Sequence, residues 1–389
     1  MSLKLIIDYS PYWLPILLFV IFWRTWINYV QAAYFAKIEN ILLEIKLPQE
    51  ILKSPFAMET FIMVLNQKGG EGTFIDRYWK GQTRAIFSLE IVSIEGNVRF
   101  YIFTPKKYKS LIESGLYAQY SGIEIYEAQD YSKSIHFNPE KMGLYVVDIK
   151  KAEKSFYPIK TYTDYGIDTK EQLEEESKID PINHLIEYMG SIGKGQQTWL
   201  QIIIRAHKAD PDPWKKGAKE EIEKIRKEAI PKEDQKSEFP KFPNPTKGQL
   251  ERIAAIERQT SKVSFDVGMR AIYMARKENF DGNQIGGLRT MLQSYTTPHL
   301  NGFKATNWLS DFDYPWQDYK EIRQNSARKN GLEAYKRRSF FFPPFTGTSF
   351  VMNVEELASV FHFPGKVTTT PTLTRIPSKK SEAPSNLPI

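Results

Sequence analysis

An apolar run near the N-terminus constrains this chain more than any other feature. Tyr12–Trp23 reads YWLPILLFVIFW, twelve residues without a charge. A helix that crosses a bilayer needs about 20 mostly apolar residues, and the apolar character continues past Arg24 to Ala32–Ala36. Arginine can snorkel to a headgroup, and tryptophan settles at membrane interfaces. The run predicts a membrane anchor over residues 1–40. Its anchoring side chains are Trp13, Leu17, Phe19, Ile21, Trp23 and Trp26.

The run has three other interpretations. A cleaved signal peptide fits less well, because Asp8 precedes the run and no A-x-A site closes it. A buried core helix and an interfacial amphipathic helix stay open as alternatives. Lys4 stands before the run, whereas Arg24, Lys37 and Lys46 follow it. Because basic residues favour the cytoplasmic side, we expect a single-pass protein of the cell membrane with its C-terminal part in the cytoplasm.

Composition narrows the chemistry that the chain can perform. It contains no cysteine, which excludes disulfides, thiolate nucleophiles and cysteine metal sites and fits a reducing compartment. The formal net charge is +7. Such a charge suggests anionic surroundings such as lipid headgroups or nucleic acid, although a lysine excess on a soluble surface gives the same value.

The residues after the anchor predict the strand and helix order β-α-β-β-α-β. Apolar runs and period-two alternation indicate strands, and Ser54-Pro55 and Thr104-Pro105 are typical of helix starts. Glu95-Gly96-Asn97 is a turn signal between the second and third strands, which therefore form a predicted hairpin. The predicted strands are Ile41–Leu47, Phe87–Ile91, Val98–Ile102 and Ile123–Tyr126. This order is that of the ferredoxin-like split unit.

The same order recurs further along the chain. Either Leu144–Ile149 or Tyr157–Tyr162 begins the second unit, and the pattern leaves that choice open. Phe265–Tyr273 alternates over nine residues, and we expect it to lie centrally in the second sheet. The predicted fold class is α+β, an N-terminal transmembrane helix followed by two ferredoxin-like units related by duplication. The expected divisions are the anchor 1–40, the first unit 41–131, the second unit 132–306 with a charged insertion 207–247, a C-terminal extension 307–367 with a short helix, and a Pro-rich tail 368–389.

No catalytic, cofactor or metal site is predicted. The segment nearest to a phosphate-binding loop, Gly190–Gln197, has the wrong glycine spacing and carries Gly195 after Lys194, where a hydroxyl is required. None of the five histidines has the i, i+4 partner of a zinc helix. These histidines are His136, His184, His207, His299 and His362. We therefore predict that the chain is not an enzyme.

Two groups of residues are candidates for binding a partner. Leu357, Val360 and Phe361 share one face of the predicted helix Val354–Phe363, a spacing that suits a groove on another protein and equally suits packing on its own domain. The basic run Lys336, Arg337 and Arg338 is a candidate contact for an anion or a nucleic acid.

Three stretches carry a resemblance to a known family. They are Phe87–Tyr120, Gly190–Lys208 and Asn353–Ile389. Together they resemble an uncharacterised membrane-anchored family of small-genome bacteria. That family is similar to the N-terminal region that precedes the motor in conjugation and type IV secretion ATPases of the HerA–FtsK superfamily. The resemblance extends over most of the chain, which stops where the motor would begin. It implies docking onto a membrane assembly and a separate ATPase, and no ATP chemistry in this chain.

The function expected from these features is that of a membrane-anchored scaffold or adaptor. It would belong to a type IV secretion or pilus-like transfer machine, contact membrane lipid and dock a separate HerA-type ATPase. A membrane-associated nucleic-acid-binding protein is the alternative, and a membrane enzyme with an unrecognised site is a third.

Overall fold

The structure is a computed structural model that describes most of the chain. The described residues are 10–48, 51, 53–168, 179–229, 245–307, 314, 316–365 and, for the backbone, 375–376. Ten strands within them form one sheet, antiparallel except where the short β10 runs parallel to the end of β1. The strands are β1 (Asn40–Pro48), β2 (Ile86–Ile94), β3 (Asn97–Pro105), β4 (Glu124–Ala128), β5 (Met142–Lys151), β6 (Gln196–Ala206), β7 (Ser264–Arg276), β8 (Phe303–Asn307), β9 (Phe350–Asn353) and β10 (Arg375–Ile376).

The strand order repeats in the two halves of the sheet. The first half reads β4-β1-β3-β2 and the second reads β8-β5-β7-β6, each joined by antiparallel ladders. The edge strands β2 and β6 of the two halves pair with each other. Ile86 is opposite Arg205 at one end of this ladder, and Ile94 is opposite Gln197 at the other. One continuous antiparallel sheet therefore runs through the body, and β9 adds to it beside the start of β7.

Local sequence determines the hairpin at the centre of the first half. Glu95 and Gly96 have φ of 53° and 85°, and a two-residue hairpin turn with positive φ at both positions matches the right-handed twist of its strands. The predicted pairing of Phe87–Ile91 with Val98–Ile102 is confirmed by the register of β2 and β3. Phe265–Tyr273 lies in β7, an interior strand between β6 and β5, but the expected second sheet is part of one continuous sheet.

Ten helices within the described residues surround the sheet. They are α1 (Ser10–Ala36), α2 (Pro55–Val64), α3 (Phe74–Tyr78), α4 (Lys109–Gln119), α5 (Pro181–Gly190), α6 (Pro213–Glu228), α7 (Lys247–Ser261), α8 (Asn283–Thr290), α9 (Ile322–Lys336) and α10 (Val354–Val360). One sheet face packs under α2, α4, α5, α8 and α10 and forms the main core. The other face packs under α9, through Leu332 and Tyr335. Side chains alternate between the two faces along each strand, so both faces can be apolar.

Several element boundaries differ from the sequence prediction. Of the two candidates for the first strand of the second unit, Leu144–Ile149 is the strand and lies in β5. Residues 157–162 form a buried segment that is not a strand and that is hydrogen-bonded to α10. Thr104-Pro105 ends β3, and α4 begins only at Lys109 after a 3-10 turn. The expected extension 307–367 contributes β9 and α10 to the body, because both pack into the main core. Residues 230–244 of the expected insertion and most of the expected tail lie outside the described residues.

Candidate functional site

The two ends of α1 have different surroundings. From Pro11 to Phe22 every residue is exposed, including Ile16 at 68% and Phe19 at 63%. From Trp23 onward the helix packs against the body, and Val30 is buried. An exposed, uniformly apolar surface of this length would be unstable in water. The helix is long and apolar enough to cross a membrane. Of the predicted anchoring side chains, Trp13, Leu17, Phe19 and Ile21 are exposed, and Trp23 and Trp26 are partly covered.

Aromatic residues join α1 to the short helix α3. The Trp26 indole N–H donates a hydrogen bond of 3.0 Å to the carbonyl oxygen of Tyr78. The ring centroid of Trp79 lies 6.3 Å from that of Trp23 and 6.2 Å from that of Trp26. Edge-to-face pairs at such separations contribute about 0.5–1.5 kcal/mol each beyond the area that they bury. This contact fixes α3 beside α1 at the point where α1 leaves the body.

Further along α1, the backbone at Val30 lies close to the backbone at Gly81. Gly81 has φ of +63°, and a Cβ there would lie 2.4 Å from the backbone carbon and oxygen of Val30. Only glycine fits both this conformation and this approach. Phe35 then packs against Phe342, with ring centroids 5.4 Å apart. The C-terminal part of α1 is therefore a packed element of the body.

A cavity of about 530 Å³ opens between the end of α1 and the sheet. Tyr34 and Phe35 line its α1 side, and Arg84, Lys107 and Arg337 are among the body residues that line it. Arg84 is engaged, since it pairs with Glu71 and Asp266 and donates to a backbone carbonyl. Arg337 is exposed. The cavity thus combines aromatic and basic side chains, and the charge of Arg84 is already balanced by carboxylates.

The predicted basic run is divided by the structure. Arg338 is buried, with its Nε 3.0 Å from Glu90 and its Nη2 3.2 Å from Asp130. Burial opposes its charge, but Glu90, with Asp130, holds the pKa of Arg338 above its ordinary value. Lys336 pairs with Glu333 at 3.3 Å. The expectation of one anion-binding triplet is wrong for Arg338, because a guanidinium neutralised inside the protein is not available to an outside anion.

The predicted partner-binding stripe lies in the core. Leu357, Val360 and Phe361 are all 0% exposed. Phe361 meets Phe100 of the sheet edge-to-face, with centroids 5.8 Å apart. The expectation that this stripe faces a partner is therefore corrected. An i, i+3, i+4 pattern indicates that one face is covered, and here the chain's own sheet covers it.

Buried charges around α10 were not predicted from the sequence. Glu356 is 2.7 Å from Lys151, and both side chains are buried. Burial lowers the pKa of Lys151 even though Glu356 favours its charged form. Glu355 accepts hydrogen bonds from Thr161 and from Lys262, which outweigh burial and lower the pKa of Glu355. No local pattern in the sequence reveals these pairs, because Lys151 and Thr161 are 205 and 194 residues from their partners.

Two histidines are held by acidic residues. His362 is buried, with Nδ1 2.8 Å from the Ala358 carbonyl oxygen and Nε2 3.0 Å from Asp180. Both ring nitrogens face acceptors, so the doubly protonated imidazolium satisfies both contacts. Burial opposes this charge, but Asp180 and the carbonyl raise the pKa of His362 above its ordinary value. His207, 2.6 Å from Asp266, has its pKa raised in the same way.

The segment considered as a phosphate loop is a turn between α5 and β6. Gly195 has φ of +74°, and its N–H donates to the carboxylate of Glu95 at 2.9 Å. The Lys194 carbonyl oxygen accepts a hydrogen bond from Asn279. A backbone amide paired with a carboxylate is not free to bind phosphate. Among the residues that the structure describes, no group of three or more His, Asp or Glu side chains is arranged to hold a metal ion.

These features define a mixed helix-and-sheet protein with one large antiparallel sheet and an N-terminal helix long enough to cross a membrane. A family model described as a domain of unknown function, DUF8128, matches residues 74–375. The chain belongs to this family. The match includes α3 and strands β2 to β9 in full. No curated protein matches the chain.

Proposed function

We propose that this chain is a single-pass membrane scaffold whose sheet body lies in the cytoplasm. The observation that carries the proposal is the change along α1 from a fully exposed apolar surface before Trp23 to a packed one after it. A signal sequence has a similar length and composition, but a segment that is cleaved has no need of the packing between α1, Gly81 and Phe342. That packing supports a retained helix that holds the body close to the bilayer.

We further propose that the body consists of two ferredoxin-like units, 41–131 and 132–306, related by duplication. Each half has the order 4-1-3-2 when its strands are numbered from its own start. Among the described residues of each half, α2 or α5 follows the first strand and α4 or α8 follows the third; α3 is additional in the first half, and α6 and α7 lie between the second and third strands of the second half. The β2–β6 ladder joins the units edge to edge. Such a joint protects two sheet edges that would otherwise promote aggregation and yields a rigid platform.

The scaffold's proposed role is to dock a separate HerA-type ATPase in a type IV secretion or pilus-like machine. The resemblance of Phe87–Tyr120, Gly190–Lys208 and Asn353–Ile389 to the pre-motor region of such ATPases supports this role. Because Leu357, Val360 and Phe361 are buried, the docking surface is expected on exposed parts of the body. The burial of Arg338 removes one support for the nucleic-acid alternative.

Binding and nucleotide chemistry test this role together. We expect the full-length protein in lipid nanodiscs to bind a HerA-type ATPase encoded by the same genome, because docking requires only a folded body. We expect no saturable ATP binding, since the Gly195 amide is already paired with Glu95. Titration calorimetry measures the binding of the ATPase and the binding of ATP in separate experiments. Failure to bind the ATPase would contradict the docking role. Lys216, an exposed lysine on α6, provides the control. ATP hydrolysis that is lost in Lys194→Ala and kept in Lys216→Ala would contradict the non-enzymatic role.

A further inference from the structure

The outer side of α3 is apolar and uncovered. Phe74 is 61% exposed, Ile75 is 60% exposed and Trp79, directly after the helix, is 56% exposed. The ring centroids of Phe74 and Trp79 lie 6.2 Å apart, and Ile75 follows Phe74 in the helix, so three large apolar side chains are exposed within six residues. Exposed apolar groups of this kind on a folded protein mark an interaction site or a membrane contact. Thr73 caps the helix by accepting a hydrogen bond from the Asp76 N–H. The exposed residues thus sit on an ordered helix.

The length of α1 places this patch at the level of the bilayer. The fully exposed part of α1, Pro11–Phe22, spans only about 18 Å at a rise of about 1.5 Å per residue. A bilayer core is about 30 Å thick and needs about 20 residues, which reach Tyr29 when counted from Ser10. Tyr29 is itself exposed, at 66%. Trp26 and Trp23 therefore lie about 5 and 9 Å to the bilayer side of this boundary, so α3, which contacts both, meets the membrane.

The chemistry of the patch suits a lipid interface. Tryptophan and tyrosine prefer the headgroup region, where an apolar ring and a polar tip are both satisfied. Arg77 and Lys80 flank the aromatic residues, and the Arg77 guanidinium lies over the Tyr78 ring at 5.4 Å. Lys80 pairs with Asp76 at 2.8 Å. Basic groups beside interfacial aromatics are favourable near anionic headgroups.

We infer that α3 and Trp79 form a second membrane contact, embedded in the interfacial layer beside α1. The inference rests on the proposed membrane anchor and adds to it. A single spanning helix leaves the body free to tilt about one attachment point. A second contact, packed on the first through Trp23 and Trp26, fixes the angle at which the sheet stands on the membrane. The partner of this surface is the lipid bilayer.

Nitroxide labels at single cysteines test the inference, because the chain has no cysteine of its own. The variants are Ile75→Cys on the patch, Phe19→Cys on the exposed part of α1, and Lys194→Cys. Lys194 lies in the turn at the end of β6 farthest from α1, about 30 Å along the strand. Phe74→Cys repeats the patch measurement at a second exposed position. Each full-length variant is reconstituted in vesicles of phosphatidylcholine with a minority of phosphatidylglycerol, and collision rates with oxygen and with a water-soluble nickel chelate are measured.

We expect the labels at positions 75 and 74 to collide more with oxygen than with nickel, as the label at Phe19 does, and the label at Lys194 to show the reverse. A lipid-like result at Phe19 with water-like results at both patch positions would overturn the second contact and leave the anchor intact. Patch labels shielded from both reagents would show that protein covers α3, which would also overturn it. A water-like result at Phe19 would overturn the anchor and, with it, this inference.

Discussion

Several buried charges of this protein converge on α10 and its surroundings. Lys151 and Glu356 are paired inside the core, and His362 is held between Asp180 and the Ala358 carbonyl. Removing one partner of a buried pair leaves an uncompensated charge and costs about 3–5 kcal/mol. At the scale of single residues, these contacts add specific partners to the apolar packing of α10 against the main core.

The raised pKa of His362 makes stability depend on pH. The folded state binds this proton more tightly than the unfolded chain, whose histidines titrate near 6.5. The stabilisation is therefore full below about pH 6 and is lost as pH rises through the folded pKa. We expect the unfolding midpoint in denaturant, measured on the detergent-solubilised full chain, to be lower at about pH 8 than at about pH 6.

Two histidine variants separate this effect from others. His362→Gln should reduce the difference between the two pH values, while His207, whose pKa is also raised, retains part of it. His136→Gln replaces an exposed histidine and should leave the difference unchanged. A midpoint that rises with pH, or a pH difference equal in wild type and His362→Gln, would show that His362 is not held as the imidazolium.

At the scale of elements, the joint between α1 and the body depends on Gly81. Substitution by alanine places a Cβ 2.4 Å from the Val30 backbone at a positive φ, so α1 must move or Gly81 must change conformation. A strained left-handed residue costs about 1–3 kcal/mol before any clash is counted. We expect Gly81→Ala to lower the thermal unfolding temperature of the detergent-solubilised protein and to expose Trp23 and Trp26 to an aqueous fluorescence quencher.

A second glycine provides the matched control. Gly193 has open space around the position of its Cβ, so Gly193→Ala should change neither the unfolding temperature nor the quenching. If Gly81→Ala behaves like Gly193→Ala, the packing of α1 on the body does not exist in solution.

The sequence predicts a feature when the residues that determine it lie close together in the chain. The β2–β3 hairpin was predictable because Glu95-Gly96-Asn97 and the alternation beside it lie within about 20 residues. The surface that covers α10 was not predictable. Leu357, Val360 and Phe361 have the same spacing whether a partner or the chain's own sheet covers them. The five-residue α3 was missed because it directly follows Lys68–Thr73 (KGGEGT), whose glycines are typical of a loop.

At the scale of the whole molecule, the body and the anchor are continuous. The second half of α1 packs on the body through Val30 and Phe35, so removing residues 1–36 would also remove part of the fold. Removing residues 1–22 would spare that packing. In the proposed arrangement, this packing holds the sheet close to the membrane, as a docking platform requires.

Labelling of single cysteines in intact cells tests whether α1 crosses the membrane with the body inside. A membrane-impermeant maleimide is applied to cells that carry Ser2→Cys or Lys194→Cys in the otherwise cysteine-free chain. We expect Ser2→Cys to be labelled in intact cells and Lys194→Cys to be labelled only after lysis. Protection of both positions until lysis would show that α1 does not cross the membrane, and labelling of Lys194→Cys in intact cells would place the body outside; either result would contradict the account.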